Sequence, residues 1–439
     1  MLKKINGRPS RAAMLIKNAK FPQPFAPGLE YSAPARGTWN IVHTGMILPE
    51  SHQIYIGAAG CLRGVVLTAA EMGAMNRYSS LEVKTRDMIL ADQEKFIING
   101  IDGILSRLPR LPKAVLVFTT CLHHFIGTDL NYVYRELERM FPVIDFARCI
   151  MDPIMTRAGI SPEARERSEI YGLLKPKPSD GGINLIGGNL PTDGSSEFIK
   201  LIRKTGRPFR DWTKMADYAA FQNMAKSKLN IFFHPMTKIA AVRLQEHLSQ
   251  DCLYLPLSYD AAGIKSDLTR LAQVLGENLP DCGQVEEEAD ASLRKAKKIV
   301  GEAPLAVDAS FTFRPFNLAR VLATYGFNVS EIYADAISSE DEADFAWLKK
   351  NRGEIKLMAI KHADLNLHER RRSEKILALG QKAAYFNDTP YFVNLVEGGG
   401  LYGFVGIKKL GELMIEAWQY PKDTRNLIIR KGLGCRCCL

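Results

Sequence analysis

Long hydrophobic runs are missing from this sequence. No window approaches the ~18 consecutive apolar residues of a membrane helix, so a membrane role is not expected. The first residues, MLKKINGRPSRAAMLIKNAK, are basic but never develop the apolar stretch of a signal peptide, which leads us to expect a cytoplasmic protein. Cysteine is scarce: eight in 439 residues are too few for a disulfide scaffold, so each is a packing residue or a metal ligand. A basic arm is also absent. The formal net charge is +10, yet Lys and Arg are spread along the chain, and Arg370, Arg371 and Arg372 form the densest run. That distribution suits a solvated surface or an acidic protein partner better than nucleic acid. No segment is of low complexity. With 46% hydrophobic and 24% charged residues, the composition is that of a globular protein of several domains.

What is present is a recurring short apolar run followed by an amphipathic helix, the signature of parallel β/α units. A first group includes strands over 114–120 and 142–146 with a helix over 131–140. Lys175-Pro-Lys-Pro-Ser-Asp-Gly-Gly182 has the composition of a linker. A second group follows with strands over 183–186, 229–234 and 252–257 and helices over 195–204 and 265–275. A charged helix over 284–300 leads to a third group, with strands over 305–308, 328–333, 355–360, 382–386 and 391–396 and a last helix over 404–418. The expected domains are 1–176, 177–300 and 301–439. Ligands of such folds gather at the carboxyl ends of the strands, and the candidate residues were sought there.

Cys61 lies in Gly57-Ala-Ala-Gly60-Cys61-Leu-Arg-Gly64, at the start of an expected helix. A helix N-terminus favours a thiolate, and small neighbours admit a bulky group. Cys121 ends the 114–120 strand and is followed by His123 and His124. No Cys-x-x-Cys accompanies either cysteine, so spacing alone leaves open two apolar packing cysteines or two ligands. His234 ends the 229–234 strand, as a ligand, a proton donor or a histidine bonded to backbone. Gly398, Gly400 and Gly403 match the G-x-G-x-x-G dinucleotide fingerprint. Only 36 residues follow Gly403, without an evident strand for a ribose-binding acid. A Gly-rich loop lining a cavity, with the last helix offering its N-terminus to an anionic group, is the preferred reading. Cys149, Cys252 and Cys282 show no ligand spacing. Tail residues Cys435, Cys437 and Cys438 are read as a frayed end, and Arg436 stands where a prenylation box needs cysteine.

Several segments, in order, resemble the nitrogenase component 1 family. They are Gly60-Cys61, Cys121 with Ile126-Gly127-Thr128-Asp129, Asn184-Leu-Ile-Gly-Gly188, Leu229-Asn-Ile-Phe-Phe-His234 and the loop Gly398–Gly406. The resemblance implies three Rossmann-like domains with parallel sheets around a central cleft. It also implies a two-subunit core, a homodimer or a heterodimer with a second component 1-like chain, served by an ATP-hydrolysing iron protein. Thr38 stands near the place of the family's third cluster cysteine. Cys61 and Cys121 therefore imply half the ligands of a [4Fe–4S] cluster shared across the subunit interface. The family's cofactor cysteine falls at about Pro235 and its histidine at Tyr402, so dinitrogen reduction is not expected. The expected function is reduction of an organic, tetrapyrrole-like substrate in a pocket with His234, Gly400 and Tyr402. The alternative is a scaffold for metallocofactor assembly.

Overall fold

The computed structural model describes residues 11–26, 28, 30, 40–90, 92–152, 160–367 and 374–429. Thr38 and the tail cysteines lie outside them. The described residues form three sheets built from β1 (Ala13–Leu15), β2 (Ser51–Gly57), β3 (Tyr78–Glu82), β4 (Ala114–Thr120), β5 (Asp145–Met151), β6 (Gly182–Leu185), β7 (Phe209–Asp211), β8 (Ser227–Phe232), β9 (Asp251–Tyr254), β10 (Pro304–Asp308), β11 (Asn328–Tyr333), β12 (Lys356–Met358), β13 (Leu377–Leu379) and β14 (Phe392–Val393). The strand orders are β3-β2-β4-β5, β7-β6-β8-β9 and β1-β12-β11-β10-β13-β14. All pairings are parallel except β1 with β12. This is the expected α/β class.

By internal contacts the chain divides into two compact units. One, the cysteine unit, comprises residues 39–189 and 207–255 and holds the two four-stranded sheets. The other, the glycine-loop unit, comprises residues up to 38, 190–206 and 256–433 and holds the six-stranded sheet.

Parallel strands covered on both faces read as continuous apolar runs, and β4, Ala-Val-Leu-Val-Phe-Thr-Thr, is buried at all seven positions. Its neighbour β2 is also fully buried although it begins Ser-His-Gln. The polar groups are satisfied locally. Ser51 Oγ donates to the Leu48 carbonyl at 2.7 Å, His52 Nε2 lies 2.9 Å from Ser79 Oγ, and Gln53 Nε2 donates to the Val42 carbonyl at 3.1 Å.

Several expected strands differ; those over 252–257 and 355–360 end at Tyr254 and Met358. Residues 382–386 form the helix Gln381–Asn387, and β13 precedes it. Gly380, at φ 113°, ends that strand, and the Asp308 carboxylate accepts the Ala383 N–H at 2.8 Å in the first helical turn. The strand expected over 142–146 begins at Asp145 and runs on to Met151, because Pro142 and the 70%-exposed Val143 occupy a turn. The strand expected over 391–396 is confined to Phe392–Val393.

Candidate functional site

β2 and β4 are neighbours, with Ile56 opposite Thr119. β2 leads through Ala58 into the helix Ala59–Glu71, in which Cys61 is the third residue. β4 leads straight into the helix Cys121–Phe125. The two cysteines therefore follow the carboxyl ends of adjacent parallel strands, which run about 4.8 Å apart. Gly57 makes this edge tight: a Cβ there would stand 2.6 Å from Thr120 Cγ2. Above the edge the surface is open. Cys61 is exposed, and a Cβ on Gly60 or Gly64 would meet nothing within 4 Å.

Cys121 is half-buried, and its thiol pKa is pushed up by burial, then by the Asp152 carboxylate and by Cys61. Asp152 follows from the register. Thr120 pairs with Met151, so Cys121 and Asp152 are the next residues on neighbouring strands, and Asp152 is buried. His123 is buried as well, and burial lowers its pKa against the pull of the Ile56 carbonyl. His124 is exposed. Among the described residues no three His, Cys, Asp or Glu side chains are grouped to hold a metal ion. This edge offers two thiols.

The remaining described cysteines are packed. Cys149 sits inside β5, fully buried, with its pKa far above the ordinary thiol range through burial. Cys252 lies 3.3 Å from the Ala241 carbonyl, and burial raises it to about 11. Burial also raises the buried Cys282.

His234 belongs to the same unit, two residues beyond β8, and is buried. Its Nδ1 accepts the Met236 N–H at 3.1 Å, which leaves the ring proton on Nε2, 3.5 Å from Glu163 Oε1. Glu163 pairs at 2.7 Å with Arg167, four residues on in the helix Pro162–Gly172, and both are buried. Arg167 also donates to Asn189 Oδ1 at 3.0 Å and to the Gly187 carbonyl. Gly187 is required, since its φ is +87° and a Cβ would stand 1.9 Å from Thr237 Oγ1. Burial, above all, holds the Glu166 carboxyl well above its ordinary pKa.

Gly400 and Tyr402 lie in the other unit. Gly398, Gly399 and Gly400 have φ values of +75°, +62° and +70°, and a Cβ on Gly400 would stand 2.1 Å from the Pro191 carbonyl oxygen. The Gly398 N–H donates to the Phe311 carbonyl at 2.7 Å, and the Asp193 N–H to the Gly400 carbonyl at 3.0 Å. Tyr402 is buried and precedes the helix Gly403–Gln419.

The expectation that this helix offers its N-terminus to an anionic ligand is corrected. The Glu197 carboxylate is already there, accepting the Val405 N–H at 3.1 Å. A Cβ on Gly403 would stand 2.0 Å from Glu197 Oε2. Burial raises the Glu197 pKa while the helix N–H groups lower it. The chain supplies its own anion.

The structure thus brings Cys61 and Cys121 together. His234 lies beyond a strand of the second sheet in their unit, and Gly400 and Tyr402 share the loop of the other unit. Sequence reasoning missed Asp152, Glu163, Arg167 and Glu197. Only the Glu163/Arg167 pair had a local signal, its i,i+4 spacing behind a proline.

The described residues thus form parallel α/β sheets with a pair of thiols at one carboxyl edge. The description "Nitrogenase component 1 type Oxidoreductase" matches residues 48–390, and the chain belongs to this family. Two solved structures resemble it. One, titled "Nitrogenase Cp1 at pH 6.5", is 14% identical with a TM-score of 0.66, covering 90% of this chain and 94% of that one. The other, "Nitrogenase Cp1 at pH 5", is 15% identical with a TM-score of 0.58, covering 93% and 94%. They share the fold. Comparison with curated protein sequences gives no match. Proteins of this family generally carry iron–sulfur clusters and form multimers that work with iron-protein partners. Among the described residues no helix is long and apolar enough to cross a membrane.

Proposed function

We propose that the chain is a subunit of a cytoplasmic, nitrogenase-like reductase that accepts electrons from an ATP-hydrolysing iron protein and delivers them to an organic, tetrapyrrole-like substrate. One observation carries this reading: the exposed Cys61 and half-buried Cys121 stand at one open carboxyl edge. These thiols fit a cluster, because thiolate is the ligand iron–sulfur clusters take and Gly60 and Gly64 leave room above them. Two thiols are half of the four a [4Fe–4S] cluster needs, so a second subunit, a copy of this chain or a second component 1-like chain, would complete the set. When bound, such a cluster supplies low-potential one-electron chemistry.

The chain's own part is to hold and orient. The strand ends fix the two thiols at neighbouring positions, and the small residues let a partner approach. We assign His234, Gly400 and Tyr402 to binding of the substrate. The backbone N–H at Nδ1 leaves a proton at Nε2 of His234, the Glu163 carboxylate steadies that proton, and Arg167 anchors the carboxylate. The organic substrate is favoured over dinitrogen because Pro235 and Tyr402 stand where the family's cofactor ligands fall.

The test is anaerobic purification followed by absorbance, iron and sulfide measurements. Cys61→Ser and Cys121→Ser should each abolish the visible iron–sulfur absorbance, since a hydroxyl is a poor ligand for such iron. Cys149→Ser, inside β5, should leave it unchanged. Full iron content in the first two variants would sink the proposal. A wild-type cluster that no iron protein reduces with ATP would favour a cofactor-assembly scaffold.

A further inference from the structure

A cavity of about 670 Å³ opens in the cysteine unit, lined by the start of β5, the helices Pro162–Gly172 and Lys238–Leu248, and the chain around Lys175. It lies at the amino end of β5, whereas Asp152 and Cys121 mark the carboxyl end. Its lining residue nearest the cysteine edge along β5 is Arg148, three residues, roughly 10 Å at 3.3 Å each, before the strand's end at Met151.

Four cations face this cavity: Arg148, Arg165, Lys175 and Arg243. Three have carboxylates. Arg148 lies 3.6 Å from Glu138, Lys175 2.9 Å from Asp145, and Arg243 3.0 Å from Glu169. The fourth, Arg165, forms no ion pair among the described residues, and its Nε is buried without a hydrogen-bond partner. A guanidinium N–H removed from water and left unmatched is costly, and an oxyanion at its fork would cancel that cost.

The surroundings are built to hold the other guanidiniums in place. Arg148 stacks over Tyr134, 4.7 Å from the ring centre, and donates to Asn131 Oδ1 at 3.1 Å. Arg243 lies against the backbone of Gly172, where a Cβ would stand 2.3 Å from its Cζ. A glycine at 172 is what lets that guanidinium reach the cavity. Asp145 is also held by the Tyr218 hydroxyl, which donates to it at 2.7 Å.

We propose that this cavity binds the phosphate or carboxylate group of a small organic ligand, with Arg165 as its central contact and Arg148 and Arg243 at its sides. One unpaired cation calls for one oxyanion, and the volume leaves room for an organic body beyond it. The site is separate from the cluster edge, so it acts as a second ligand site on the subunit.

Calorimetric titration of the full-length chain tests this, using inorganic phosphate and, separately, citrate at equal ionic strength set with sodium chloride. Saturable binding of either anion is expected, and which one binds tells phosphate from carboxylate. Arg165→Gln should weaken it at least tenfold, and Arg165→Lys should recover part, as a point charge without a fork. Should Arg165→Gln fold poorly by circular dichroism, Arg148→Gln, at a residue whose side chain is 40% exposed, should still weaken binding severalfold. Cys61→Ser should bind as the parent does. Absence of saturable heat from both anions, or unchanged affinity in the folded arginine variants, would overturn the site.

Discussion

Two carboxyl edges of parallel sheets can be compared in this molecule, and they have opposite characters. At the edge of β2, β4 and β5 the chain leaves its chemistry facing outward: Cys61 is exposed, and the glycines beside it border open space. Beyond β14 in the other unit the chain packs closely against itself. Three left-handed glycines wrap against Pro191 and Phe311, and Glu197 fills the helix N-terminus. The first edge is the one the proposed function assigns to groups from another molecule, and the second is a closely packed loop on which Gly400 and Tyr402 sit. Glycine serves both, as vacancy in one and as close contact in the other.

Substitution should separate the two edges most sharply. Gly400→Ala puts a side chain at positive φ and against the Pro191 carbonyl, so it should destabilise the protein by about 1–3 kcal/mol or more. Denaturant unfolding of the variant measures this, and an unchanged midpoint would show that the loop is looser than described. Acid should act on the two units in opposite directions at two residues. Burial raises Asp267 of the glycine-loop unit to about 6 from 3.8, so its stabilisation is full below pH ~4 and fades as pH rises through 6. Burial lowers His52 of the cysteine unit to about 4 from 6.5, so its stabilisation is full above 6.5 and fades as pH falls through 4. Compared with the parent between pH 4 and 6, Asp267→Asn should remove a gain on acidification and His52→Gln a loss. Each effect is at most ~1.4 kcal/mol per pH unit, read from unfolding curves across that range. The smallest effect belongs to the open edge. Cys61→Ser should change unfolding free energy by less than ~0.5 kcal/mol, since an exposed thiol packs against little; a larger loss would mean the edge is partly closed by the chain itself.

How much of this was legible beforehand depends on where the deciding partner sits along the chain. Asn328–Tyr333 carries Val329, Ile332 and Tyr333 just after the turn glycine Gly326, and it was read residue for residue. The last helix was read to within one residue at each end. Cys61 and Cys121 were found because a strand end and a helix start are both local signals. β2 was missed, since Ser51, His52 and Gln53 look exposed until the carbonyls and Ser79 that satisfy them are known. A five-residue run such as 382–386 suits a strand or a helix, and the choice was made by Asp308, 75 positions away. Glu197 was out of reach for the same reason, 208 positions from the helix turn it caps. Asp152 needed the β4–β5 register, which no single strand carries.

The pairing of β1 with β12 bears on how the chain comes to be folded during synthesis. Ala13–Leu15 emerges from the ribosome some 340 residues before its partner at Lys356–Met358. At ~5–20 residues per second, that strand waits tens of seconds for its place. Meanwhile residues 39–189 and 207–255 of the cysteine unit have been made. The glycine-loop unit, whose β1 is made before the cysteine unit, therefore closes after it, and β1 is the seal on one edge of the six-stranded sheet.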